Sequence, residues 1–341
     1  MLLLVGGTGL EAQATAWRGG VTHVDTVQAP SLRGNLIGDP SWREATVYVP
    51  PGYGSSRTKR YPVVYLLHGF AADHRAFMSG AYQNLNVRIS MDSLIEGGSV
   101  REMIVVTPNA RNFFDGSFYM NSPVSGRWED FIVRDLVSHV DRKYRTIPDR
   151  SARGIAGHSM GGFGALHIGM RNPDMFSAVY AMSPCCIGRM DGRERTAGWK
   201  AAIGVKSRAD YAKAGFTANL IYALASAFSP NPDRPPLFAD LPYRLEGESL
   251  MADSAVLRRW SFGPLAMATT HIDALKRLAI AFDAGDADGL TDIPVNVRSL
   301  DSLLTANDVP HAFEIYPGTH GSRIRSRLET KVFPFFSREL R

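Results

Sequence analysis

The chain of 341 residues is 45% hydrophobic and 21% charged, a globular balance with enough apolar content to build the core of one large domain. A disordered chain and a disulfide-stapled miniprotein are excluded, and no run approaches the roughly 18 consecutive apolar residues of a membrane-spanning helix. The formal charge of +5 comes from arginines spread along the chain and densest at Arg323, Arg325 and Arg327; with no basic stripe interleaved with aromatics and no nucleic-acid-binding motif, it reads as a solvated face rather than a nucleic-acid surface.

Residues 1–14 pair an apolar run, Leu2-Leu3-Leu4-Val5, with Ala12-Gln13-Ala14, the small-x-small pattern that signal peptidase cuts. They read as an export signal that lacks its positive n-region, which places a mature chain of residues 15–341 outside the cytoplasm as a secreted or periplasmic single domain; without a signal the location is cytoplasmic. Gly7-Thr8-Gly9 with Ala12 also fits a dinucleotide-binding turn, with Asp25 as ribose partner. That helix would have to end by Gly19-Gly20, little more than two turns later, so the reading is set aside.

Val21 to Val27 and Ala45 to Val49 alternate apolar and polar side chains as half-buried antiparallel strands do. Pro50 to Gly54 is a turn. Tyr61 to Leu67 and Met103 to Val106 are continuous apolar runs, the signature of strands buried on both faces of a parallel sheet. Trp128 to Tyr144 reads as a helix, with Ile132, Leu136 and Val140 four apart on one face. A strand at Gly154 to Gly157 leads to a helix over Met160 to Arg171, and Phe176 to Met182 is apolar again. Residues 185 to about 270 lose the pattern and read as a lid-like insertion with short helices. A short helix at Ile272 to Arg277, a strand from Leu278 to Phe282, a helix from about Ile293 to Ala306, a strand from His311 to Tyr316 and a C-terminal helix follow. The alternation implies a mostly parallel sheet with helices on both faces, whose ligands sit at the carboxyl ends of the strands.

Gly157-His158-Ser159-Met160-Gly161-Gly162 places a Gly-x-Ser-x-Gly between a strand and a helix. The turn that lifts such a serine above the sheet edge is so sharp that the flanking positions must lack bulky side chains. A serine hydroxyl is a poor nucleophile until a base takes its proton. Of the nine histidines, His320 stands out because Gly318-Thr319-His320-Gly321 follows the last strand, in the order nucleophile, acid, base that an α/β-hydrolase uses. His23, His68, His139, His158, His167 and His311 read as packed or solvated, and His74 and His271 have no supporting pattern. The acid belongs in Ala284-Gly285-Asp286-Ala287-Asp288-Gly289; Asp288 is preferred and Asp286 is the alternative, the unused one bracing the loop. Asp283 sits at the strand end, and Asp292 reads as the N-cap of the next helix. Leu66-Leu67-His68-Gly69-Phe70 ends the first buried strand, where an oxyanion needs a donor, and the backbone N–H groups of Phe70 and Met160 are the expected pair. The two cysteines, Cys185 and Cys186, are adjacent, which denies the chain a disulfide framework and a cysteine-based zinc site; no metal and no cofactor is expected.

From Tyr48-Val49-Pro50-Pro51-Gly52-Tyr53, through Tyr61-Pro62-Val63-Val64-Tyr65-Leu66-Leu67-His68-Gly69, to the Ser159 motif and Gly318-Thr319-His320, the chain resembles the esterase D-like "putative esterase" family over about residues 21–340. The resemblance implies an α/β-hydrolase fold and the company of feruloyl and acetylxylan esterases, S-formylglutathione hydrolases, enterochelin esterases and mycolyltransferases. It also implies a Gly-x-x-Asp acid motif at Gly285 and Asp288. The function expected is that of a serine carboxylesterase acting through an acyl-enzyme, with a small-molecule or polysaccharide-linked ester as its partner and feruloyl or acetyl esters of plant polysaccharide in view. The rivals are a mycolyltransferase-type acyltransferase, an S-formylglutathione thioesterase and a non-catalytic binding module. Trp199, Phe228, Phe238 and Trp260 either supply an aromatic pocket or pack the insertion.

Overall fold

The computed structural model describes residues 19–188 and 196–341. The export-signal reading of residues 1–14 and the glycine pattern at 7–12 lie outside the described residues. Asp25, the residue a dinucleotide ribose would have needed, is buried against the His139 ring, the Lys143 ammonium and the Tyr144 hydroxyl.

The apolar runs assemble into an eight-stranded sheet. Its strands are β1 (Val21–Gln28), β2 (Trp42–Val49), β3 (Val63–Leu67), β4 (Ile104–Pro108), β5 (Arg153–His158), β6 (Ala178–Met182), β7 (Ala279–Gly285) and β8 (His311–Tyr316). Their spatial order is β1-β2-β4-β3-β5-β6-β7-β8. β2 pairs antiparallel with both β1 and β4, and the other pairings are parallel. The longest helices among the described residues are α1 (Val87–Glu96), α2 (128–143), α3 (Met160–Arg171), α4 (Thr196–Gly204), α5 (Phe216–Phe228), α6 (Asp292–Ala306) and α7 (324–339).

β3 and β4 are buried along their whole length, which is why neither shows the alternation of a half-exposed strand. The pleat sends Val63, Tyr65 and Leu67 into one core and Val64 and Leu66 into the other. The first core takes Ile132, Leu136 and Val140 of α2, Phe163 and Ile168 of α3, and Val297, Leu300 and Leu304 of α6. The second takes Val87 and Met91 of α1 and Leu328, Val332 and Phe336 of α7. Helix α1 has no counterpart in the sequence reading; Asn86 starts it, its side-chain oxygen accepting from the N–H groups of Arg88 and Ile89 at 3.1 and 3.4 Å. Helix α6 opens with Asp292 as its first residue and Thr291 as the residue before it, so Asp292 is not the cap.

The insertion between β6 and β7 is more ordered than its breaker-rich composition suggests, with the 13-residue α5 and a β-hairpin pairing Tyr243–Glu246 with Ser249–Ala252. It is fastened to the main core: the Phe228 ring lies 5.8 Å from that of Phe163, and the Ser122 hydroxyl donates to Ser226 O at 2.7 Å. Trp199, Phe228 and Trp260 are each at most 6% exposed; Trp260 meets the rings of both Trp199 and Phe228 at tilted angles, and its indole N–H donates to Ser229 Oγ at 2.8 Å. Of the two readings, packing holds for these three, and Phe238 is half-buried against the same core.

Arg327 corrects the solvated-face expectation. It is 5% exposed, and its guanidinium donates to Asp283 Oδ2 at 2.7 and 2.9 Å while reaching Glu314 at 2.9 Å. The Tyr180 hydroxyl donates to the same Asp283 oxygen at 2.8 Å. This pair ties α7 to the end of β7 and so steadies the strand that carries the acid loop. Removing one partner alone strands a buried charge, a change that costs about 3–5 kcal/mol.

Candidate active site

Ser159 sits between β5 and α3 at φ 59° and ψ −118°, a left-handed conformation that costs a non-glycine residue energy and marks a site where the surroundings impose it. The chain can turn this tightly because of two glycines. A Cβ on Gly157 would stand 2.3 Å from the Gly161 carbonyl carbon, and one on Gly161 would stand 2.0 Å from Leu67 O. The turn is tied at both ends: Ser159 N–H donates to Met182 O of β6 at 3.0 Å, and Ser159 O accepts from Phe163 N–H at 2.9 Å.

The loops after β7 and β8 bring two more of the expected residues to this turn. His320 Nε2 lies 2.9 Å from Ser159 Oγ, and His320 Nδ1 lies 2.7 Å from Asp288 Oδ2. An ionised Asp288 accepts only, so the imidazole proton resides on Nδ1 and Nε2 is left to accept from the serine hydroxyl. Asp288 is 4% exposed, and its other oxygen accepts from Leu290 N–H at 2.8 Å. Asp286 is exposed and accepts from Gly318 N–H at 2.9 Å, which braces the two loops against each other. Burial and reach thus separate two carboxylates that lie two residues apart.

Phe70 follows the end of β3, and Met160 opens α3, where the first N–H groups of a helix have no intrahelical partner. The peptide that carries the Phe70 N–H is held by His68. His68 Nε2 accepts from Ala110 N–H at 2.9 Å, so the proton is on Nδ1, which donates to Gly69 O at 2.8 Å. Because a trans peptide points its N–H opposite to its carbonyl, fixing Gly69 O fixes the direction of the Phe70 N–H. His158 holds the other side of the site: its Nε2–H donates to His320 O at 2.8 Å and its ring lies 4.8 Å from the His320 ring. The other histidines are engaged away from Ser159, His74 with Thr46 and Glu44, His167 with Glu129, and His311 with Asp301.

Burial pushes His158 down to about 3, helped by the neighbouring His320, and pushes His68 down to about 4. Unfolding returns both rings to about 6.5, so between about pH 6.5 and 4 the unfolded chain binds protons that the folded chain refuses. Their contribution to stability is complete above about pH 6.5 and is lost as pH falls toward 4. Glu129 and Asp73, held at about 2, lose theirs only below about pH 4. The midpoint of urea unfolding should therefore fall between pH 6.5 and 4.5, and His158→Gln, which can keep a donor for His320 O, should flatten that fall. A midpoint constant across this window in the native chain would contradict the assignment.

Tyr82 belongs to the site although no sequence pattern announces it. Its hydroxyl lies 3.4 Å from the point a Gly69 Cβ would occupy, Ser159 Cβ lies 3.5 Å from that same point, and its ring stands edge-on to His158 at 5.6 Å.

The profile of the "Putative esterase" family matches residues 41–324. The chain belongs to that family. A solved ferulic acid esterase is 26% identical to this esterase and superposes with a TM-score of 0.66, over 94% of this chain and 99% of that one. An S-formylglutathione hydrolase from Agrobacterium tumefaciens, 18% identical, shares the fold with a TM-score of 0.60 over 96% of this chain and 98% of that one. An endo-1,4-beta-xylanase/feruloyl esterase from Xylanibacter ruminicola is 31% identical over 155 residues, 42% of this chain; the match spans 20% of that relative's own length. The fold of this esterase is that of the α/β-hydrolases. No helix among its described residues is long and apolar enough to cross a membrane.

Proposed function

We propose that this esterase is a serine carboxylesterase that works through an acyl-enzyme on Ser159, with feruloyl or acetyl esters of plant polysaccharide as its substrates. The observation that carries the reading is the unbroken chain of hydrogen bonds from Asp288 through His320 to Ser159, 2.7 and then 2.9 Å. In the first half-reaction Ser159 Oγ attacks the ester carbonyl carbon while His320 Nε2 takes its proton. The carbonyl oxygen becomes an oxyanion facing the N–H groups of Phe70 and Met160, and Asp288 stabilises the imidazolium. Collapse breaks the bond to the alcohol oxygen, which leaves with the proton from Nε2. In the second half-reaction water attacks the acyl carbon while giving a proton to Nε2; collapse breaks the bond to Ser159 Oγ, which takes that proton back from Nε2, and the carboxylic acid leaves. The likeness to a ferulic acid esterase supports the substrate class, and export of the chain, read from the residues up to Ala14, would bring the enzyme to a polysaccharide.

The test is to follow methyl ferulate and p-nitrophenyl acetate hydrolysis while the enzyme is titrated with diisopropyl fluorophosphate. Turnover on both esters, abolished by one adduct per chain on the Ser159 peptide, is the expected result. Turnover that survives stoichiometric modification, or an adduct elsewhere, rejects the nucleophile. Acyl transfer to an added alcohol in preference to water turns the reading toward an acyltransferase.

A further inference from the structure

Phe216 is 64% exposed at the first turn of α5. Its neighbour gives the exposure a meaning. The Phe216 ring stands edge-on to that of Phe70, with centroids 5.4 Å apart and planes at 79°, and Phe70 carries one of the two N–H groups expected at the oxyanion. The Phe70 ring in turn approaches the residue that carries the other: a Cβ added to Gly116 would stand 2.8 Å from Phe70 Cδ2 and 2.6 Å from Met160 Sδ. The two rings therefore form a step that begins at a residue expected to supply an oxyanion donor and ends in solvent.

Helix α5, which carries Phe216, is held by a second group of rings. Tyr222 of the same helix stacks with Phe114 at 6.3 Å, Phe114 meets Tyr211 at 5.5 Å, and Phe113 meets Tyr211 at 5.3 Å. This cluster joins α5 to the loop after β4, so an incoming ring meets a surface already in position and gives up little ordering free energy. The alcohol oxygen must reach His320 Nε2 to be protonated, the carbonyl oxygen must face the two N–H groups, and Ser159 occupies a third direction. The acyl carbon takes the remaining, fourth direction.

We propose that Phe216, standing over Phe70, is the specificity-determining residue for an aromatic acyl group, binding the ring of an arylalkenoyl or arylalkanoyl ester along the start of α5. The inference rests on the acyl-enzyme reading of Ser159. Its measure is a ratio of kcat/KM values within one enzyme, which a change in the fraction of folded protein does not move. Methyl ferulate, methyl 3-phenylpropionate and methyl acetate share the same leaving group; phenyl acetate moves the ring to the alcohol arm. Phe216→Ala should lower the ferulate-to-acetate and phenylpropionate-to-acetate ratios about tenfold, the scale of one lost aromatic contact together with its buried area, and Phe216→Trp should restore them. The ratio of phenyl acetate to methyl acetate should stay level. Arylacyl ratios unchanged in Phe216→Ala, or a fall confined to phenyl acetate, overturns the proposal while leaving Ser159 as nucleophile. A native enzyme that turns over none of these esters and takes no phosphoryl label at Ser159 removes the acyl-enzyme reading and this one with it.

Discussion

Ser159→Ala is expected to lower kcat for ester hydrolysis by at least about 10⁴-fold. The substitution deletes the atom that His320 Nε2 faces at 2.9 Å and leaves the rest of the machinery without a nucleophile to activate. What survives is the modest catalysis that bound water and the oxyanion donors supply by themselves, on the order of 10³–10⁴ over the uncatalysed reaction in serine hydrolases stripped of their nucleophile. Stability should move little. Alanine inherits the same left-handed backbone at φ 59°, and the bonds that hold the turn run through the Ser159 N–H and carbonyl rather than its side chain. Turnover of p-nitrophenyl acetate and thermal unfolding, measured on one preparation, separate the two effects. A loss smaller than tenfold in a chain that unfolds at the native temperature would show that another group attacks the ester.

The parts of this site that were legible in the sequence are those set by local sterics and chain order. Gly157 and Gly161 face each other across a turn that admits no Cβ, so the motif announces its own geometry. His320 follows the last strand, and its position after the acid loop decided it among nine histidines. Strands β3, β4 and β5 were visible as apolar runs because both of their faces are covered.

What sequence alone did not yield depends on partners distant in the chain. Helix α1 has a capping Asn86 and Val87 and Met91 one turn apart, but much of its second core is completed by α7, more than 200 residues later. Arg327 stands between Arg325 and Lys331 and looks like surface until Asp283 and Tyr180 are placed beside it. The aromatics of the insertion carry the same ambiguity: Trp199 and Trp260 are interior while Phe216 is exposed, and nothing in the local pattern distinguishes them. His68 and His158, inside the two motifs, act on backbone carbonyls, a role that becomes visible only once the loops are folded together.

Asp288→Asn and Asp286→Asn should part by more than about three orders of magnitude, although the residues lie two positions apart in one loop. Asp288 Oδ2 accepts from His320 Nδ1 at 2.7 Å inside a buried pocket. An amide there can turn its NH₂ toward the ring, which favours the tautomer with the proton on Nε2, and a protonated Nε2 cannot take the Ser159 hydrogen. The amide also cannot neutralise the imidazolium that forms as Ser159 attacks. A loss of about 10⁴-fold in kcat is the scale of that change in serine proteases, close to 5 kcal/mol of transition-state stabilisation. Asp286 meets a different demand. It is exposed and accepts from Gly318 N–H, and asparagine retains a side-chain carbonyl for that bond, so Asp286→Asn should stay within about threefold of the native rate. Rates for both variants with p-nitrophenyl acetate at pH 7 decide the matter. If Asp286→Asn were the inactive one, the hydrogen bond between Asp288 and His320 would belong to the loop's architecture, and the acid of the reaction would have to reach the imidazole by a rearrangement of residues 285–289.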